Sequence, residues 1–270
     1  MAVLPPRKIT FQRIASPDAF QSLLQTFDGL PNDPAFLYLS NTSHDLIIYV
    51  APTRVVNLIN ISYLSNALSR KEKEASAMKS FLETGTASLV FFDARKTAKI
   101  LFEECDIRLS NPPCTERARI HKVQMIELAV REGDYGREWL ASLDKCIARH
   151  SGLDVTALMP DDSIGVNQFD SRILHLPVLW KRYYDQLHAS RYGFGGGGFW
   201  VAKIRTDTRL RLAVSCGETH YGYSADGAKS GWYRERVEEE TDAWNDDLMD
   251  DIRHGGEILG DDHWAKFNLL

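Results

Sequence analysis

Residues 35–61 read AFLYLSNTSHDLIIYVAPTRVVNLINI and contain three strand-like runs in succession. The runs are Ala35–Leu39, Leu46–Val50 and Arg54–Ile61, and they are rich in aromatic and β-branched residues. Only a short polar turn and the tripeptide Ala-Pro-Thr separate them. A parallel pair of strands needs a crossover of a dozen or more residues, whereas hairpins need only a few. The stretch therefore predicts consecutive antiparallel hairpins.

The segments on either side of this stretch alternate between strand and helix patterns. Before it lie a strand at Ile9–Ile14 and a helix that starts at Ser16, with Pro17 in the first turn. After it we predict helices at 62–68, 72–83 and 95–104, and strands at 88–92 and 106–109. Apolar residues at 3.6-residue spacing then predict helices at 123–131, 137–150, 171–188 and 199–215. This order predicts an α/β protein with a mixed sheet of about five strands.

Composition restricts the class of protein further. The chain has 270 residues, 44% of them hydrophobic and 26% charged, with a net charge of −5. Nucleic-acid binding would therefore need a local basic patch. No run approaches the ~18 apolar residues of a membrane span, so we expect no membrane partner. The four cysteines (Cys105, Cys114, Cys146 and Cys216) lack metal-ligand spacing, which favours reduced thiols and a cytoplasmic or nuclear location.

Several longer segments of the sequence resemble those of a known family. They are SLVFFDARKTAKILFEECDIRL (88–109), KVQMIELAV (122–130), WLASLDKCI (139–147), RILHLPVLWKRY (172–183), FWVAKIRTDTRLRL (199–212) and the final GW (231–232). In this order the chain resembles the RNase D-like 3′–5′ exonuclease domains of the DEDD superfamily, over roughly residues 36–232. The resemblance implies a ribonuclease-H-like mixed sheet flanked by helices, with a C-terminal helical extension.

The residue patterns, together with the resemblance, divide the chain into four parts. Residues 1–34 supply a strand and a helix that belong to the domain, and residues 35–192 form the exonuclease-like domain itself. Residues 193–234 follow as a glycine-rich tether and helical extension. The last segment, 235–270, is rich in Asp and Glu, and we expect it to be a solvated or weakly ordered tail.

The residues at the family's catalytic positions are not acidic. Members of the family hold two divalent metals with four carboxylates, aided by a tyrosine or histidine. The resemblance places the acids on Ser40, Thr42, Thr97 and Arg172, and the tyrosine on Gln168. Hard Mg²⁺ or Mn²⁺ ions need charged oxygen ligands, and an arginine repels them. We therefore expect a degenerate, catalytically inactive member that uses no metal cofactor.

Three functions remain open from the sequence. The first is a pseudo-nuclease that acts as a nucleic-acid-binding adaptor or a protein scaffold. The second is an active exonuclease whose Mg²⁺ or Mn²⁺ site is displaced onto Asp45, Asp93 and Asp170. The third is a protein–protein interaction module without affinity for nucleic acid.

Basic residues in the second half are candidates for phosphate contacts. They are Arg172, Lys181, Arg182, Lys203, Arg205 and Arg209, which could neutralise RNA or single-stranded DNA. An ordinary solvated face is the alternative, and a protein partner or a second copy of the chain is also open. We hypothesise that the acidic tail folds over such a groove and competes with nucleic acid.

Overall fold

The computed structural model describes residues 8–28, 30, 35–110, 119–132, 136–160, 169–189, 196–219 and 231–253. These ranges contain one six-stranded sheet, in the order β1-β4-β3-β2-β5-β6. The strands are β1 (Thr10–Ile14), β2 (Leu37–Asn41), β3 (Asp45–Val50), β4 (Val55–Asn60), β5 (Leu89–Phe91) and β6 (Ile120–Lys122). Only β3 pairs antiparallel with its neighbours, so the other five strands end at the same edge. The mixed sheet is confirmed, with one strand more than we expected.

Helices cover both faces of this sheet. They are α1 (Pro17–Phe27), α2 (Ile61–Ser69), α3 (Lys73–Thr84), α4 (Arg95–Cys105), α5 (Val123–Val130), α6 (Leu143–His150), α7 (Leu176–Ala189), α8 (Gly196–Ser215) and α9 (Arg234–Arg253). Residues Thr156–Leu158 and Ser171–His175 add short 3₁₀ turns. The predicted start of α1 is confirmed, because the Ser16 hydroxyl accepts a hydrogen bond from the Ala19 amide at 3.3 Å. None of the helices that the structure describes is both long and apolar enough to cross a membrane.

The sheet separates two hydrophobic clusters. Successive side chains of a strand point to opposite faces, so Leu37 and Leu39 join the first cluster and Tyr38 the second. Helices α1–α4 complete the first cluster, and α5–α7 complete the second. Helix α8 contributes to both, with Leu212 in the first and Ile204 in the second.

Two predicted elements differ from the structure. Residues 106–109 form no strand: Asp106 adopts a left-handed conformation (φ 50°) that ends α4. Residues 137–142 are not helical, because the backbone of Arg137 and Glu138 accepts hydrogen bonds from Trp232 and Gly231. The helix begins only at Leu143, capped by Ser142. In both places the spacing of apolar residues suggested the element, but the backbone at that position adopts another arrangement: a left-handed helix end at Asp106, and hydrogen bonds to residues 231 and 232 at 137–138.

The acidic tail is also more regular than we expected. Residues 235–253 continue a helix, α9, that starts at Arg234, so this part is not weakly ordered, although several of its acidic side chains are exposed, as a solvated tail predicts. Residues 254–270 lie outside the described ranges, as do 193–195 of the predicted tether. Residues 196–198 of that tether are the first turn of α8.

Candidate functional site

Polar side chains gather at the edge where five strands end. Asn41 ends β2 and Asn60 ends β4, while Asp45 begins the reversed strand β3 between them. Further along the same edge, Asp93 follows β5 and Lys122 ends β6. Ligands of open α/β sheets generally bind outside the carboxyl ends of the strands. This edge is therefore the candidate functional site.

A cleft of about 630 Å³ opens at one part of this edge. Its lining comprises Arg13, Thr42, Ser43, His44, Asp45, Asn60, Phe169, Asp170 and Arg172. The turn between β2 and β3 shapes one wall, because the Thr42 hydroxyl accepts hydrogen bonds from the amides of His44 (3.2 Å) and Asp45 (3.0 Å). Two of the predicted positions, Thr42 and Arg172, thus lie in one cleft.

Arg172 is held between two carboxylates. Its Nε and Nη2 donate to Asp170 at 2.8 Å each, and its Nη1 donates to Asp144 of α6 at 3.1 Å. Burial alone would raise the pKa of Asp170, but hydrogen bonds and charge from Arg172 outweigh burial and lower it. One guanidinium therefore binds both acids and offsets one of their two negative charges.

The other predicted positions are placed differently. Thr97 of α4 donates a hydrogen bond to the Asn41 side-chain oxygen at 2.8 Å. The Ser40 hydroxyl is buried and has no hydrogen-bond partner among the described residues. Strand alternation puts Ser40 on the opposite face of the sheet from Asn41, so Thr97 approaches β2 from the other side. Gln168 lies outside the described residues.

Asp93 forms a separate charged cluster at the edge. Its carboxylate accepts from Arg95 Nη2 at 2.7 Å and pairs with the Lys122 ammonium at 3.1 Å. Burial raises the pKa of Asp93, but Lys122 and Arg95 together hold it well below its usual range. Asp93 is therefore an anion at neutral pH that pairs with two cations.

These residues do not fit a two-metal site. Such a site needs several charged oxygens within reach of both ions. Across the ranges that the structure describes, no group of three or more His, Cys, Asp or Glu side chains converges in a way that could hold a metal. Asp170 and Asp93 each bind an arginine, and Ser40 and Thr97 offer only hydroxyls. The absence of a metal cofactor nevertheless stays a prediction.

Apart from Arg172, the predicted phosphate contacts fall into two groups. Lys181, Arg182 and Arg209 are exposed, and Lys181 pairs with Asp185 of its own helix at 2.8 Å. Lys203 and Arg205 of α8 are only 8% and 7% exposed. Their burial does not fit a surface contact with phosphate while the chain is in this arrangement.

Comparison with known proteins gives the fold. No protein-family model and no curated protein matches the chain in sequence. Solved structures do match. The chain shares the fold of RNase D.

Three of the matched structures are of Trypanosoma brucei RNase D. The complex with RNA U12 has a TM-score of 0.55 at 13% identity, covering 86% of this chain and 79% of that one. RNase D alone gives 0.56 at 12%, covering 87% and 82%, and the GMP complex gives 0.53 at 12%, covering 86% and 72%. At this identity the likeness confirms the ribonuclease-H-like fold with an RNase D-like arrangement, and the function remains to be argued from the site.

Sequence reasoning missed two residues of the candidate site: Asp144, which binds Arg172, and Asn60, which lines the cleft. Asp144 was not considered, although an acid in the first turn of a helix is common. Asn60 was also missed: its side chain caps α2 by accepting from the Tyr63 amide at 2.9 Å, and it reaches Asp45 at 3.5 Å. An asparagine between a strand and a helix is a recognisable cap signal, so Asn60 could have been found.

Proposed function

We propose that this chain is a non-catalytic relative of 3′–5′ exonucleases that binds single-stranded nucleic acid as an adaptor. One observation carries the proposal. Arg172, which stands where the resemblance expects a metal-binding acid, is clamped by Asp170 and Asp144. A guanidinium in that position repels divalent cations, and it offsets one of the two negative charges that Asp170 and Asp144 carry.

Exposed arginine side chains support the part of the proposal that concerns nucleic-acid binding. Arg182 of α7 and Arg209 of α8 are exposed, and no ion pair holds either within the described residues. Free guanidinium groups bind phosphate oxygens well, since their donors match a phosphate in a bidentate way. An RNase D of the same fold was crystallised with RNA U12, which supports the choice of RNA as the ligand.

The test measures binding and cleavage in the same samples. Purified full-length protein is incubated with 5′-labelled single-stranded RNA, in Mn²⁺ or in EDTA. We expect the RNA to be bound in both conditions and to keep its full length. Shortening of the RNA that EDTA abolishes would replace this proposal with an active exonuclease whose site is displaced.

Variants locate the binding surface. For a single strand, removing one cation that neutralises a phosphate lowers the slope of log K against log salt by about 0.7. We expect this reduction for Arg182→Gln and for Arg209→Gln, and none for Lys99→Gln on the exposed surface of α4. Failure of the wild-type protein to bind RNA at low salt would leave the protein-interaction module as the function.

A further inference from the structure

An aromatic and basic surface lies along the first half of α8. It consists of Phe199, Trp200, Lys203 and Trp232, which we call the α8 platform. Trp200 and Trp232 stack with their ring centres 5.4 Å apart, and the Lys203 ammonium lies 5.1 Å from the centre of the Trp232 ring. Asp207 fixes this arrangement by accepting a hydrogen bond from the Trp232 indole.

Helix α9 covers this platform. Glu240 of α9 forms an ion pair with Lys203, and Trp244 contacts Phe199 at 6.2 Å between ring centres. Val237, one turn earlier on α9, packs against the second hydrophobic cluster. These three positions share a face of α9, because residues three, four and seven apart lie on one side of a helix. Lys203, a predicted phosphate contact, is therefore paired and enclosed by the acidic helix.

Helix α9 carries a strong net negative charge. Residues 234–253 carry nine carboxylates and three arginines, a net charge of −6. Glu235, Glu238, Glu239, Asp242 and Asp246 are exposed. The negative charges along α9 resemble those of a nucleic-acid backbone. The α8 platform beneath α9 combines aromatic and basic side chains, as surfaces that bind single strands do.

Without α9, the platform has the two components of single-strand binding sites. Aromatic faces stack on bases of any sequence, at about 1–3 kcal/mol per base, and nearby cations neutralise the phosphates. Phe199, which Trp244 of α9 contacts, would supply a face once α9 leaves, and Lys203 would supply a cation. Tyr233, the next residue along the chain, is already 57% exposed while α9 is in place, so a strand has a starting contact.

We propose that α9 is an autoinhibitory cover that occupies a second surface for single-stranded nucleic acid, the α8 platform. This inference rests on the proposed function. Strand and α9 compete for Lys203, so the apparent affinity of the protein is its intrinsic affinity reduced by the fraction of molecules in which the platform is open. Lys203 belongs to a helix with several basic residues, and it is buried because α9 covers it.

Matched full-length variants test the cover. Glu240→Gln removes the carboxylate that pairs with Lys203 and with Arg236 of α9, whereas Glu239→Gln makes the same charge change on the exposed side of α9. We expect Glu240→Gln to bind single-stranded RNA at least about fivefold more tightly than Glu239→Gln, the lower end of usual coupling between sites. Trp244→Ala, which changes no charge and breaks the contact with Phe199, should act in the same direction.

Hydrogen exchange provides a second readout. Adding RNA to the wild-type protein should accelerate amide exchange in α9, because the strand displaces it, and slow exchange in the platform. Equal affinity of all three variants with unchanged exchange in α9 would overturn the cover and leave the proposed function intact. Absence of RNA binding by wild type and variants alike would overturn both.

Discussion

At the scale of single residues, the ion pair between Asp93 and Lys122 ties two neighbouring strands together at the sheet edge. The Lys122 side chain is 0% exposed, and burial lowers its pKa to about 8 although Asp93 opposes that shift. A buried charge is tolerated only when a partner balances it. The sequence could not reveal this pair, because Asp93 and Lys122 are far apart in the chain and meet only when β5 and β6 align.

We predict that Asp93→Asn destabilises the protein by about 3 kcal/mol at pH 7, because it leaves the buried Lys122 without a countercharge. The control is Asp185→Asn, which breaks an exposed pair with Lys181 and should cost less than about 1 kcal/mol. Urea denaturation of both variants measures the difference. Equal destabilisation would show that Lys122 does not depend on Asp93.

Ionisation of the same carboxylate should make the stability of the folded protein depend on pH. The pKa of Asp93 is lower in the folded state than in the unfolded state, where it is about 4. The contribution of Asp93 to the free energy of unfolding is therefore complete above the unfolded pKa and is lost as pH falls through the folded pKa. Wild-type stability should therefore decline on acidification by more than that of Asp93→Asn. Parallel declines between pH 7 and pH 3 would contradict this assignment.

At the scale of elements, the sequence predicted helices and strands correctly where a cap or a short turn accompanied the hydrophobic pattern. Ser16 with Pro17 marked the start of α1, and short turns marked the hairpins β2–β3 and β3–β4. They failed where tertiary pairing decided, as at 137–142, whose backbone hydrogen-bonds to residues 231 and 232. The placement of α9 on α8 also depends on tertiary contact, so the sequence could only suggest it as a hypothesis about charge.

Asn60 joins three elements and gives a prediction at this scale. Its side-chain oxygen caps α2, while its amide nitrogen donates to the His44 carbonyl at 3.4 Å. We expect Asn60→Ala to lower the free energy of unfolding by about 2 kcal/mol, the upper end for removal of a helix cap, because the hydrogen bond to the β2–β3 turn disappears as well. Ser16→Ala, which removes a cap alone, should cost about 1 kcal/mol. Thermal unfolding of both variants compares them, and a larger destabilisation by Ser16→Ala would contradict the joining role.

At the scale of the whole molecule, the predicted fold class was right because hairpins and crossover lengths restrict the topology of a mixed sheet. The candidate site was harder to predict. Of the five positions inferred by resemblance, Thr42 and Arg172 share a cleft, while Thr97 reaches β2 from the other face. One residue of register decides which face a strand residue occupies, and that register is set by the packing of the whole sheet.

The shared sheet and α8 should make the two hydrophobic clusters unfold together. We predict that Leu101→Ala in α4 and Leu179→Ala in α7 each lower stability by about 3 kcal/mol, since both side chains are fully buried, on opposite faces. Tryptophan fluorescence reports the second cluster, through Trp180 and Trp232, whereas far-ultraviolet circular dichroism reports all helices. Because α8 packs into both clusters, Leu101→Ala should shift the two transitions equally, although it lies across the sheet from these tryptophans. Val178→Ala, at a partly exposed position of α7, should shift neither by more than about 1 kcal/mol. A fluorescence transition that stays in place while the dichroism transition moves would mean that the second face folds independently of the first.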